Sequence, residues 1–255
     1  MDNMLKAIQY PTLDDIKSAL FIQPHPDDNE IGAGGTMIKL VQKGISVYGL
    51  TVTEGRGGSK VYPPEELADI RKIEADEAMK ITGVTNLGCL GYHDQNPIVH
   101  EKLVKDLVKI IREIKPDAII SVDDKLENEL HPVHLEVGKA VREAFFRSGQ
   151  AFYPFEDGYK HDDAYKCRII GFYFTEDENT IVDISDVYPK KREAILAHKS
   201  QVDEQLMSMY DGLFTLISSD HPGKMVERLK LLYDIHTHCF TIPQFLKDKG
   251  VLNKK

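Results

Sequence analysis

Short apolar runs alternating with longer amphipathic stretches limit the fold of this chain more than any other feature of its sequence. The runs at residues 19–22, 45–52, 86–90, 118–122, 169–174 and 181–184 are rich in β-branched and aromatic residues, as buried strands are. Helix-like patterns fill intervals between them at 30–42, 63–82, 98–115 and 132–146, and two more follow the sixth run at 186–209 and 222–236. Strands that alternate with helices pack as right-handed β-α-β units. The expectation is therefore a Rossmann-like α/β fold: a doubly wound, mainly parallel sheet with helices on both faces. Gly44 follows the first helix pattern, and Pro63 and Pro64 sit where a second helix can start without amide donors.

A chain of 255 residues with 42% hydrophobic content carries enough apolar material for a sizeable core, and a single domain over residues 1–255 is expected. The segment 150–166, crowded with Tyr, Pro, Asp and His, reads as a surface excursion that could border a site. With 41 acidic against 32 basic residues and a net charge of −9, the chain has no electrostatic footprint for nucleic acid or an anionic membrane. It also has no apolar stretch near the roughly 18 residues of a membrane span, and no basic-then-apolar leader, so a cytoplasmic location is expected. Cys89, Cys167 and Cys239 are widely spaced and outside any C-x-x-C pattern. They are expected to be buried free thiols rather than a disulfide framework or a thiolate zinc site.

The chemistry concentrates where the first and fourth strands end. The first runs straight into Pro24-His25-Pro26-Asp27-Asp28-Asn29-Glu30, and ligands of open α/β sheets sit in the crevice at the carboxyl ends of strands. An imidazole and two carboxylates fall within four residues, beside Pro24 and Pro26, which restrict the backbone. Imidazole and carboxylate suit zinc, whereas a single Asp before a helix would be read as a cap. This turn alone supplies too few ligands, because a catalytic zinc usually takes three protein groups and a water. The fourth strand is followed, after the acidic residues Asp123, Asp124, Glu127 and Glu129, by His131-Pro132-Val133-His134 at a helix start. Histidines three apart in a first turn point to similar sides, so one can bind metal while the other faces a substrate.

At these residues the chain resembles the LmbE-like, or PIG-L-type, N-acetylglucosaminyl deacetylases, and is closest to the small-glycan and diacetylchitobiose deacetylases among them. The likeness extends over most of the chain. It takes in Thr51 to Gly58, Arg71-Lys72-x-Glu74-Ala75, Leu90 to Asp94, Ile181 to Ser185, Lys191, Ala194-Ile195 and His198-Lys199-Ser200-Gln201. The resemblance implies one zinc ion per chain on His25, Asp28 and His134, with Asp27 as general base and His131 stabilising or protonating the tetrahedral intermediate. It also suggests Arg71, Asp94 and His238 as contacts to a small soluble N-acetylated amino sugar, and a homo-oligomer, a hexamer. Val133 stands where the family often carries Asp, which removes an acceptor that could orient a ligand histidine.

Two other readings compete. Gly32 to Gly35 and Gly55 to Gly58 could mark a nucleotide or phosphate module, but neither string is a dinucleotide fingerprint or P-loop, and the first falls inside a helix pattern. A two-metal phosphoesterase would need a further carboxylate-histidine set at a strand end, and none is apparent. The ligand set itself does not choose zinc over iron or cobalt.

Overall fold

The structure, a computed structural model, describes residues 8–155 and 160–253. Seven strands form one sheet in the order β3-β2-β1-β4-β5-β7-β6. They are β1 (Ser18–Gln23), β2 (Ser46–Thr53), β3 (Thr85–Tyr92), β4 (Ala118–Val122), β5 (Ile169–Tyr173), β6 (Thr180–Asp183) and β7 (Val226–Tyr233). β1 through β5 pair in parallel, and β7 runs antiparallel to both β5 and β6. The helices are α1 (Asp28–Gln42), α2 (Pro64–Thr82), α3 (His100–Ile114), α4 (Pro132–Arg147), α5 (Tyr188–Leu196), α6 (Glu204–Ile217) and α7 (Gln244–Asp248). The doubly wound, mainly parallel α/β sheet expected from the alternation is what forms.

Two separate apolar clusters show the layering. One packs Phe21, Met37, Ile120, Tyr173 and Leu229 on one face of the sheet; the other packs Leu20, Leu50, Leu107, Ile119 and Val137 on the opposite face. Central strands covered on both faces read as continuous apolar runs, which is why β1 and β4 were visible in the sequence.

β7 departs from the expected helix at 222–236, and the seventh strand is its consequence. The composition of this segment, Val-Glu-Arg-Leu-Lys-Leu-Leu-Tyr, favours helix, but two neighbours offer complete antiparallel ladders, and tertiary pairing overrides propensity. The pattern expected as one helix over 186–209 is instead two, because Asp203 starts α6 by accepting the Leu206 amide at 2.8 Å. Of the thiols only Cys167 is buried; Cys89 lies on the edge strand β3 and Cys239 beyond β7, and both are exposed. Residues 150–155 and 160–166 form turns and irregular backbone, as an excursion should, while 156–159 lie outside the described residues.

Helix α1 is broken at Ala33 (φ −144°, ψ 17°) for an identifiable reason. Glu227 of β7 takes the Gly35 and Thr36 amides at 2.8 and 2.7 Å, and Lys191 of α5 donates to the Ile31 carbonyl at 2.8 Å. A buried ion pair, Lys191 Nζ to Glu227 Oε1 at 2.7 Å, thus replaces part of the helical ladder. The Gly32 to Gly35 string lies in this helix, as expected. A Cβ on Gly32 would meet the Tyr173 ring at 2.2 Å, so glycine permits the close approach of α1 to β5.

Candidate metal centre

β1 lies between β2 and β4, so successive connections leave it in opposite directions, and a crevice opens at the carboxyl ends of β1 and β4. The two histidine-bearing turns meet there. Gln23, the last residue of β1, anchors the first turn: its amide donates to Thr51 Oγ1 at 2.9 Å and its carbonyl accepts from the Asn29 amide at 2.8 Å. Between these anchors Asp27 is held at φ +140°, a conformation that costs an L-residue energy and is retained where a side chain must be aimed.

The Asp28 carboxylate joins the two turns. Its Oδ2 is 3.4 Å from His25 Nδ1 and its Oδ1 is 3.4 Å from His134 Nε2. Both are long for hydrogen bonds. Imidazole and carboxylate donors gathered at one point are types that fit a borderline cation. His25, His131 and His134 also offer ring nitrogens within 4.8 Å of one another, so His131 borders the same point from the open side.

The second nitrogen of His134 is held by Glu129, with Nδ1 to Oε2 at 2.9 Å, while Glu129 Oε1 accepts the His131 amide at 2.7 Å. A carboxylate behind a ligand histidine fixes its tautomer and raises its basicity. Glu129 takes the place of the acceptor that Val133 cannot supply. It was visible in the acidic stretch before the motif but was given no role there.

Charge at the centre follows from burial and neighbours. Burial works to raise Asp28, but the facing His134 and His25 imidazoles outweigh it and hold the carboxyl well below the usual range. Burial works to lower His134, yet Asp28 and Glu129 push it up to about 9. Burial pushes Asp27 up to about 6, opposed chiefly by Arg71. His131 is lowered by burial and then by the two neighbouring histidines.

Arg71 reaches this point from α2. Its Nη2 donates to Asp27 Oδ2 at 3.1 Å and to the Pro26 carbonyl at 2.7 Å, and its Nη1 donates to the Gly55 carbonyl at 3.0 Å. Gly55, at φ +66°, has to be glycine on a second ground, because a Cβ there would sit 2.4 Å from the guanidinium. Arg71 joins His25, Asp27, His131, Asp94, Gln95 and Gln201 around a cleft of about 330 Å³. Asp94 is set by the Gly57 amide at 2.9 Å through one oxygen, leaving the other buried and without a partner. His238 is not brought to the cleft within this chain. β7 ends beside the start of β5, so the residues directly after it start from the amino end of the parallel strands, opposite the crevice. Gln95 and Gln201 were given no role in the sequence. Gln201 arrives through a loop whose Ser200 is clamped to Glu74 by two bonds of 2.7 Å.

Comparison with known proteins bears on this arrangement. The family model described as PIG-L, GlcNAc-PI de-N-acetylase, matches residues 20–145, from β1 to α4, and so spans His25, Asp27, Asp28 and His134. The diacetylchitobiose deacetylase of Thermococcus kodakarensis is 33% identical over 83% of this chain and 79% of its own. The chain belongs to the PIG-L family. A second relative of this PIG-L protein, the probable N-acetyl-α-D-glucosaminyl L-malate deacetylase 2 of Bacillus cereus, is 30% identical over 74% of this chain and 86% of its own. In three dimensions, the N,N'-diacetylchitobiose deacetylase of Pyrococcus horikoshii, solved with an inhibitor, superposes with a TM-score of 0.85 at 27% identity, over 95% of this chain and 93% of the other.

Proposed function

We propose that the chain is a zinc-dependent hydrolase that removes the acetyl group from an N-acetylglucosamine unit of a small saccharide or conjugate. One observation carries the reading: the Asp28 carboxylate stands 3.4 Å from both His25 and His134 at the switch point of the sheet, with a second, half-buried carboxylate, Asp27, beside them. A zinc ion on these three groups would supply Lewis acidity, polarising the amide carbonyl and making water more acidic.

The protein's own groups divide the remaining work. Asp27, oriented by Arg71, takes the proton of the attacking water, and ionised Asp27 is the form that can do so. The His131 side chain is exposed to the cleft and donates N–H to the oxyanion as charge develops on it. The proton gained by Asp27 equals the one the departing amine needs, so the balance closes inside the site. Asp94, with one oxygen unpartnered, accepts from a sugar hydroxyl, and the Arg71 fork closes the wall next to it.

The same reading extends to a cytoplasmic enzyme of one domain that works as a homo-oligomer, a hexamer. Its support is the family resemblance, the absence among the described residues of any helix long and apolar enough to cross a membrane, and the exposed Met209, Leu213 and Leu216 along α6. The test is acetate release from N-acetylglucosamine and diacetylchitobiose, with metal content measured on the same sample before and after chelation. Release that chelation abolishes and zinc restores is the expected result. Protein that binds no metal under any loading condition would overturn the proposal.

A further inference from the structure

Two buried titratable groups near Asp27 have no part in the proposed reaction: Glu30 of α1 and His198 of the turn between α5 and α6. They face each other at 3.6 Å, Nε2 to Oε2, and neither carboxylate oxygen nor either ring nitrogen has a hydrogen-bond partner. The turn that carries His198 is firmly built. The His198 carbonyl accepts the Gln201 and Val202 amides at 2.9 and 2.8 Å, and Ser200 is held by Glu74, one turn after Arg71 on α2. Gln201 lines the cleft with Asp27 and Arg71, and a Cβ on Gly58 would stand 2.6 Å from Gln201 Oε1 and 3.0 Å from Arg71 Nη1. Asp27 caps α1, and Glu30 follows in its first turn. His198, Glu30, Arg71 and Asp27 are thus gathered from three segments.

Buried charge needs compensation, and Arg71 is one cation for two carboxylates, Asp27 and Glu30. Burial works to lower His198, but Glu30 and then Asp27 outweigh it and raise it, which favours the imidazolium. Asp27, which burial raises, is opposed by Arg71 and less strongly by His198. His198 does not line the cleft, so any effect it has on the reaction passes through another group. We propose that His198 is a positioning residue for the base: paired with Glu30, it supplies, together with Arg71, the positive charge that keeps the Asp27 carboxylate in place to receive the water proton. The inference rests on the deacetylase reading, which gives Asp27 that work.

The test is a double-mutant cycle on kcat for acetate release from diacetylchitobiose by zinc-supplied protein, with zinc content measured on each variant. His198→Leu should lower kcat by about tenfold or more, with KM and zinc content unchanged; in the Asp27→Asn background the same change should lower it by less than about twofold, because the group it acts through is gone. A purely structural role would lower kcat by the same factor in both backgrounds. Denaturant unfolding of metal-free protein reads the pair itself. The midpoint should fall in His198→Leu, which leaves Glu30 buried without a cation, and recover in part when Glu30→Gln is added. His198→Gln, which keeps a donor but not the charge, serves as the second variant if His198→Leu does not fold. Equal factors in the two backgrounds, an unchanged kcat, zinc lost in proportion to activity, or a midpoint that Glu30→Gln does not raise overturns the role while leaving the deacetylase standing. No acetate from the unaltered protein removes the deacetylase reading and the positioning role with it.

Discussion

Two buried ionic clusters touch helix α1, and they differ in how fully their hydrogen bonds are used. Lys191 and Glu227 are 1% and 4% exposed, and neither is left without partners: Glu227 receives the Gly35 and Thr36 amides, the Thr36 hydroxyl and Lys191, which also donates to the Ile31 carbonyl. At the amino end of the same helix the candidate metal centre holds as much buried charge, but its groups are left short of partners. Arg71 Nε, Asp94 Oδ1, both oxygens of Glu30 and both ring nitrogens of His198 are buried without a hydrogen bond, and Asp27 sits at a costly φ. Glu30 and His198 face each other at 3.6 Å, and His198 acts electrostatically on Asp27. Satisfied buried charge holds a fold in one arrangement, whereas unsatisfied buried charge marks a place kept ready for something else.

That contrast can be broken by substitution. The largest effect should come from Asp27→Asn, which removes the base but keeps the volume: activity falls by about 10²–10⁴-fold while metal content is retained. Asp28→Asn should lose metal as well, and equal metal loss in both variants would end the division between base and ligand. Lys191→Met tests the other cluster. Leaving Glu227 buried and unpaired should cost roughly 3–5 kcal/mol in denaturant unfolding, with kcat per folded molecule preserved. A selective loss of kcat there would make the ion pair part of the catalytic machinery.

Smaller effects sharpen the roles around the metal. His131→Ala should lower kcat by about 10²–10³-fold with zinc content unchanged, the usual worth of one oxyanion donor. A stoichiometric metal deficit would instead make His131 a ligand beside His25 and His134. Glu129→Gln should weaken metal affinity by about 10–100-fold, measured by competition with a chelating dye, because the charge behind His134 is gone. The smallest expected change is in pH dependence. Asp27 must be ionised to act, so kcat/KM falls as pH drops through its pKa, which burial places at about 6 and a bound cation pulls lower. Arg71 lowers that pKa, so Arg71→Met should move the acid limb to higher pH; a shift to lower pH would contradict the contact.

The candidate site was legible where its residues are sequence neighbours. Pro24 to Glu30 and His131 to His134 each carry several metal-suited groups on one turn, and each comes after a short apolar run, with β-branched or aromatic residues, that reads as a strand. Glu129 could have been found in the acidic stretch before His131, since Val133 left a histidine needing an acceptor. Gln95 and Gln201 carried no such signal, because a lone carboxamide on a loop looks the same whether it faces solvent or a cleft. The exposure of Cys89 was unreadable for a related reason: β3 is an edge strand, and only the sheet order reveals that.

By itself, then, the sequence determined the alternation of strands and helices, the parallel β1–β5 sheet and the composition of the two histidine-bearing turns. These rest on hydrophobic period, chain chirality and short-range restriction by proline, all of which act within a few residues or one β-α-β unit. Only the tertiary structure decided that 226–233 becomes a strand, that Lys191 and Glu227 enter the ladder of α1, and that Asp28 stands at equal distance from His25 and His134. Each of these depends on groups separated by tens to hundreds of residues. Their meeting is set by the packing of the whole sheet, whose energy no local window contains.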